Sequence, residues 1–201
     1  MSRPRVSPSH PRTTGQNMNA KLSLLVLLAV LVFALPAPAA TQQPHPADPA
    51  DVESIDAILT AVYEVISGDA GVKRDWDRFR SLFAPGATLS PTVRTPEGAY
   101  GRQIITPDEY AGNVGAWLEE NGFHEVEINR VTERYGVIAH AFSTYESRRL
   151  ASDPEPFARG INSIQLLYDG TRWWVVSIFW HQESEEHPIP AKYLPGGHVP
   201  G

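Results

Sequence analysis

The chain has 201 residues, 42% of them hydrophobic and 20% charged, with 17 basic and 23 acidic side chains and no cysteine. That balance excludes a disordered or collagen-like chain, and a net charge of −6 counts against nucleic acid as a partner. Without cysteine there is no disulfide, thiolate zinc site, cysteine nucleophile or lipoprotein anchor.

The charge is unevenly spread. Residues 1–39 hold Arg3, Arg5, Arg12 and Lys21 and no acid, so residues 40–201 carry 13 basic and 23 acidic side chains, or −10. Leu22–Leu35 is an uncharged apolar run of 14 residues. A bilayer span needs about 20, so the run reads as the h-region of a secretory signal peptide. Pro36 ends it, and Ala37-Pro38-Ala39 supplies the small residues of a cleavage site. The expectation is a signal peptide over 1–39, bacterial Sec export to the periplasm or medium, and no stable membrane anchor after cleavage. An uncleaved anchor is the alternative. Met18 offers a second start, which would make the first 17 residues an over-long beginning. Residues 40–50 read as a linker and 51–182 as one domain. Residues 183–201, rich in Pro and Gly, read as an extended tail without its own core.

Within the domain, apolar residues recur at helical spacing from Pro49 to Ser67, with Asp48 as cap and Pro49 at the first helical position. A short helix is expected over Asp75–Ala84, stopped by Pro85-Gly86. A third begins at a capping box, Thr106 with Glu109, and ends at Asn121-Gly122. Short strands are expected at Ala87–Val93 and Tyr100–Ile105. Four longer ones follow at Phe123–Thr132, Val137–Arg149, Phe157–Tyr168 and Arg172–Gln182, joined by short turns such as Asp169-Gly170 into an antiparallel meander. In the first of these, Val126 and Ile128 alternate with polar residues. In the last, Trp174, Val176, Ile178 and Trp180 alternate with Trp173, Val175 and Phe179. A strand apolar on both sides is covered on both sides, which predicts a homodimer through the outer sheet face.

The segments DWDRFRSLFAPGA (Asp75–Ala87), AHAFSTYESR (Ala139–Arg148) and RGINSIQLLYDGTRWWVVSIFW (Arg159–Trp180), in this order of elements, resemble the nuclear transport factor 2-like superfamily. They look like its SnoaL-like bacterial proteins, and the export signal points to an exported subgroup. The resemblance implies an α+β cone: three helices of the N-terminal half packed on a curved, mainly antiparallel meander sheet. It also implies a ligand cavity between helices and sheet. The superfamily includes ketosteroid isomerase, scytalone dehydratase, limonene epoxide hydrolase and polyketide cyclases beside pure binding modules. No acidic catalytic residue of these enzymes maps onto a motif position here.

A base or acid in such a cup titrates near neutrality. His140, mid-strand between Ile138 and Phe142, is the first catalytic candidate, with Glu146 the second. Tyr145, Arg159, Asn162, Gln165, Trp117 and Trp180 are candidates for ligand contact, Arg159 either binding an anionic group or pairing with Glu146. For each, a structural role is the competing reading. His181, Glu183, Glu185, Glu186 and His187 form an acidic cluster read as solvated tail, so no metal is expected. With no Gly-x-Gly-x-x-Gly or phosphate-binding loop, no nucleotide cofactor is expected, and no Gly-x-Ser-x-Gly elbow marks a hydrolase. Three functions fit, in this order: a pocket protein binding a small apolar molecule, a cofactor-independent lyase or isomerase using acid–base catalysis, and a homodimeric interaction module with a vestigial pocket.

Overall fold

The structure, a computed structural model, describes residues 46–197. The expected signal peptide and its cleavage site lie outside the described residues, as does most of the expected linker. Four helices are formed: α1 (Pro49–Val52), α2 (Ile55–Ile66), α3 (Trp76–Ser81) and α4 (Pro107–Asn121). The single helix expected over Pro49–Ser67 is two. Asp48 caps α1, accepting a bond from the Ala50 N–H, and Ser54 starts a second cap at α2 by accepting from Ala57 N–H at 3.0 Å. Capping residues bind backbone donors that the first turn leaves unpaired, so Ser54 restarts the helix rather than continuing it. At α4 the capping box is complete: Thr106 accepts from Glu109 N–H, and the Glu109 carboxylate accepts from Thr106 N–H.

Six strands, β1 (Phe83–Arg94), β2 (Tyr100–Arg102), β3 (His124–Tyr135), β4 (Ile138–Arg148), β5 (Ala158–Tyr168) and β6 (Trp173–Gln182), form one open sheet in the order β2-β1-β6-β5-β4-β3. The last four are an antiparallel meander, while β1 runs parallel to β6. The expected α+β architecture holds. α2 lies on the inner sheet face, where Ile58, Leu59, Val62, Val65 and Ile66 meet Phe79, Leu82, Ala139, Ala141, Ile164, Leu166, Trp173 and Val175.

Two irregularities change which residues face inward. The β3–β4 ladder slips between Glu127 and Asn129, leaving Ile128 as the extra residue of a bulge. Counted straight back from the hairpin turn, Val126 and Ile128 would oppose Ser147 and Tyr145. With the bulge, Glu125 and Glu127 do. A one-residue slip exchanges the faces of a strand, so Val126 is 46% exposed and the two acids point in. A second slip leaves Val176 unpaired in β6. It breaks the simple alternation expected there: Trp173, Val175, Ile178 and Trp180 face inward, and Val176 and Phe179 are exposed on the outer face.

The C-terminal segment is mostly exposed up to residue 197, but it touches the outer sheet face at a few points. Ile189 is buried, Thr144 donates to the Tyr193 carbonyl at 2.7 Å, and the Tyr193 ring meets Phe142 edge-on at 5.0 Å. Among the described residues no helix is long and apolar enough to cross a membrane.

Candidate functional site

Between α2, α3, α4 and the inner sheet face lies a cavity of about 210 Å³. Val62, Ile66, Phe79, Leu89, Phe123 and Ile178 make its walls apolar, and Glu125, Tyr110, Tyr145, Ser147 and Asn162 put polar groups into them. Phe157, 47% exposed, and the exposed Gln182 are the lining residues that solvent reaches most, so they mark the mouth.

Glu125 is held in place through its backbone. Ser67, at the C-terminal end of α2, accepts a bond from Glu125 N–H at 3.0 Å while donating to the Tyr63 carbonyl. One step away, Gly68 and Phe123 exchange both backbone bonds, at 2.7 and 3.0 Å. α2 and β3 are thereby stitched together beside the carboxyl. Gly122, at φ 69°, makes the turn from α4 into β3. A Cβ there would sit 2.8 Å from the Arg149 carbonyl oxygen, so the approach requires glycine twice over.

Glu125 is half-buried, and it lines the cavity. Burial pushes its pKa up to about 7, because the charged form loses its water, and hydrogen bonds from Ser147 and Asn162 pull back only part of the way. Ser147 Oγ donates to Glu125 Oε2 at 2.9 Å. Asn162 in turn donates to the Tyr63 hydroxyl at 3.1 Å, and Tyr63 shares a 2.6 Å bond with Ser143, which donates to Glu127. Glu127 is also raised by burial, and Arg130 lies 3.5 Å from it at the protein surface. A polar chain therefore runs from the cavity outward beneath α2. A fully satisfied network of this kind fixes its members in one arrangement.

Tyr110 and Tyr145 complete the polar face. Tyr110 is stacked on Phe79 at 5.4 Å and meets Trp180 edge-on. Burial raises both phenols well above their ordinary pKa, so both stay protonated donors. Neither hydroxyl has a hydrogen-bond partner among the described residues, although both side chains line the cavity.

Of the candidates named from sequence, Tyr145, Asn162 and Trp180 line this cavity. The others are elsewhere. His140 and Glu146 are on the opposite face of β4, because β4 turns Ala139, Ala141, Ser143, Tyr145 and Ser147 inward. His140 Nε2 is 2.9 Å from Ser163 Oγ, and Glu146 accepts from Arg148 at 2.7 Å. Arg159 opposes Glu146 in register but donates to Glu183 at 2.8 Å instead. Gln165 is exposed beside His140 on the outer face. Trp117 stands exposed on α4 beneath the Arg149 guanidinium. In the acidic cluster, His181 Nδ1 lies 2.7 Å from Thr92 Oγ1, and Glu186 binds Arg94 and Tyr100. Glu125 and Ser147 were not singled out from the sequence.

This arrangement defines a cone-shaped pocket protein of the α+β class. The fold is that of the nuclear transport factor 2-like superfamily. The beta subunit of a candidate aromatic-ring-hydroxylating dioxygenase from Novosphingobium aromaticivorans superposes with a TM-score of 0.50 at 13% identity, covering 68% of this chain and 95% of its own. A cystatin-like-fold protein from Nostoc punctiforme gives 0.48 at 13% identity, over 65% of this chain and 90% of its own. A nuclear transport factor 2-like protein from Shewanella baltica gives 0.42 at 18% identity, over 65% and 92%. Similarity at this level concerns the fold. No protein-family model matches the sequence, and no curated protein matches it.

Proposed function

We propose that the cavity takes up a small, largely apolar molecule and that Glu125 moves a proton on it, as a lyase or isomerase does. The observation that carries this reading is the carboxyl group itself, facing a largely apolar cavity with its pKa pushed up to about 7, beside two phenols without partners among the described residues. An acid–base catalyst works best with a pKa near the working pH. Ionised Glu125 would take a proton from a carbon next to a carbonyl. Tyr110 and Tyr145 would donate hydrogen bonds to the carbonyl oxygen as it gains charge, the role of preorganised donors. Protonated Glu125 then returns the proton, to a different carbon in an isomerisation or to a departing hydroxyl in an elimination. Glu125 thus takes the role that the sequence suggested for His140.

The test is hydrogen–deuterium exchange on a panel of small enolisable ketones in D2O, followed by NMR. Exchange catalysed by the wild type should rise with pH through about 7. It should fall by roughly 10²–10⁴-fold in Glu125→Gln, the usual weight of one acid–base group. Exchange that is absent in the wild type, or unchanged in the variant, overturns the chemistry and leaves a binding cavity.

A further inference from the structure

Arg149 stands apart from the other arginines of the domain. Among the described residues, each of the others donates a side-chain hydrogen bond to a carboxylate, a hydroxyl or a backbone carbonyl. The Arg149 side chain donates none, and its Nη1 is closed off from solvent without a partner. The guanidinium is clamped between two aromatic rings, 4.3 Å from the Trp117 centroid and 4.3 Å from that of Phe157. Stacking of this kind holds the plane of the group by its faces and leaves its N–H edge unused.

The position matters as much as the missing partner. Phe157 lines the cavity and is one of the two residues at its mouth. Arg149 is not itself a lining residue, but it packs against this ring of the mouth. Nη1 is out of a ligand's reach, so the Nε–Nη2 edge, likewise without a protein partner among the described residues, is the one left for an acceptor. Residues 40–201 carry −10 in all, so the domain repels anions in general. Beside the mouth, the Glu146 and Glu183 carboxylates are paired with Arg148 and Arg159, so neither competes for Arg149.

We propose that the ligand of the cavity is an amphipathic carboxylate, with its apolar body inside and its carboxylate at the mouth, paired edge-on with Arg149. This rests on the reading of the cavity as a small-molecule site. An apolar cavity of about 150 Å³ takes up benzene. The 210 Å³ here suits a ring with a short chain leading out to the mouth. The planar fork of Arg matches a carboxylate with two parallel hydrogen bonds. Bound in this way, the carboxylate is kept at the rim while Glu125, in the cavity wall, faces the apolar part of the molecule.

Calorimetric titration with matched pairs tests this: 3-phenylpropanoate, 1-naphthylacetate and decanoate, each against its uncharged amide. In the wild type at low salt, the carboxylates should bind roughly tenfold tighter than the amides, the weight of one charge-assisted pair at a half-open site. Arg149→Gln should erase that preference by weakening the carboxylates and leaving the amides unchanged. Arg149→Lys, which keeps the charge, should retain part of it. Equal binding of acid and amide by the wild type overturns the assignment of Arg149 while leaving the cavity as a binding site. So does an Arg149→Gln variant that weakens both alike, which would make the residue structural. Binding of no probe at all to the wild type removes the small-molecule reading, and the inference with it.

Discussion

Glu125 couples the cavity to the stability of the fold. Its carboxyl titrates near 4.5 when unfolded and at about 7 when folded. Between those values the folded protein holds a proton that the unfolded chain has released. Stability therefore falls as pH rises through that window and levels off above about 7. Replacing the carboxyl with a neutral amide removes the term. Glu125→Gln is expected to gain on the order of 2 kcal/mol over the wild type at pH 8 and almost nothing at pH 4. Urea denaturation at the two pH values measures it. A variant less stable than the wild type at pH 8 would mean that the carboxylate serves the fold as an anion, contrary to its place in a largely apolar wall. A residue that weakens the fold when ionised, and is nonetheless held by Ser147 and Asn162, has the character of a functional group rather than of a core filler.

At the level of the elements, the site depends on a strand irregularity and on a glycine that makes room for a ring. The bulge at Ile128 turns Glu125 inward. Gly160, inward on β5, leaves room for the Tyr145 ring to lie over it: a Cβ there would fall on the Tyr145 hydroxyl and on the His181 carbonyl oxygen. Gly160→Ala should destabilise by about 1–3 kcal/mol, as overpacking does. Tyr145→Phe in the same chain should recover only part of that, since the carbonyl remains in the way. Full recovery in thermal denaturation would show that the hydroxyl alone sets the limit. Most helix ends were legible from sequence because caps and breakers are local: Asp48, Thr106 with Glu109, and Gly122 each act within a few residues of where they stand, whereas the cap at Ser54 lay hidden inside one continuous apolar stripe. The strand order of the meander was legible from turns such as Asp169-Gly170. The site was legible only in part. Tyr145 and Asn162 were named beside Glu146, Arg159 and Gln165 of the opposite face, because alternation separates two faces without saying which one the helices cover. Glu125 was hidden because alternation assigns the inner face to Val126 and Ile128, and only the bulge, which is fixed by pairing with a distant strand, reverses it. His140 was chosen for its chemistry, while the small neighbours Ala139 and Ala141 were the ones placed against α2.

For the molecule as a whole, the outer sheet face is only partly covered. The C-terminal segment shields Phe142, Thr144 and Ile161, with Ile189 seated against the sheet. Ile138, Val176 and Phe179, the last 44% exposed, are left to solvent. The homodimer expected from sequence is proposed for this uncovered part. Light scattering at micromolar concentration should give twice the chain mass, and Phe179→Glu should return it to a monomer. A monomeric wild type would sink the proposal. The parallel pairing of β1 with β6 has a different consequence, one for the route by which the chain reaches this state. β1 is made early and β6 last, so the middle of the sheet is the final part that can close. Pairings between strands so far apart in sequence form slowly. Until β6 arrives, β1 offers an open edge and Phe83, Ala87 and Leu89 stay uncovered. Until then the side of β1 that β6 will cover lies open, and that is the stretch through which misassembly would start.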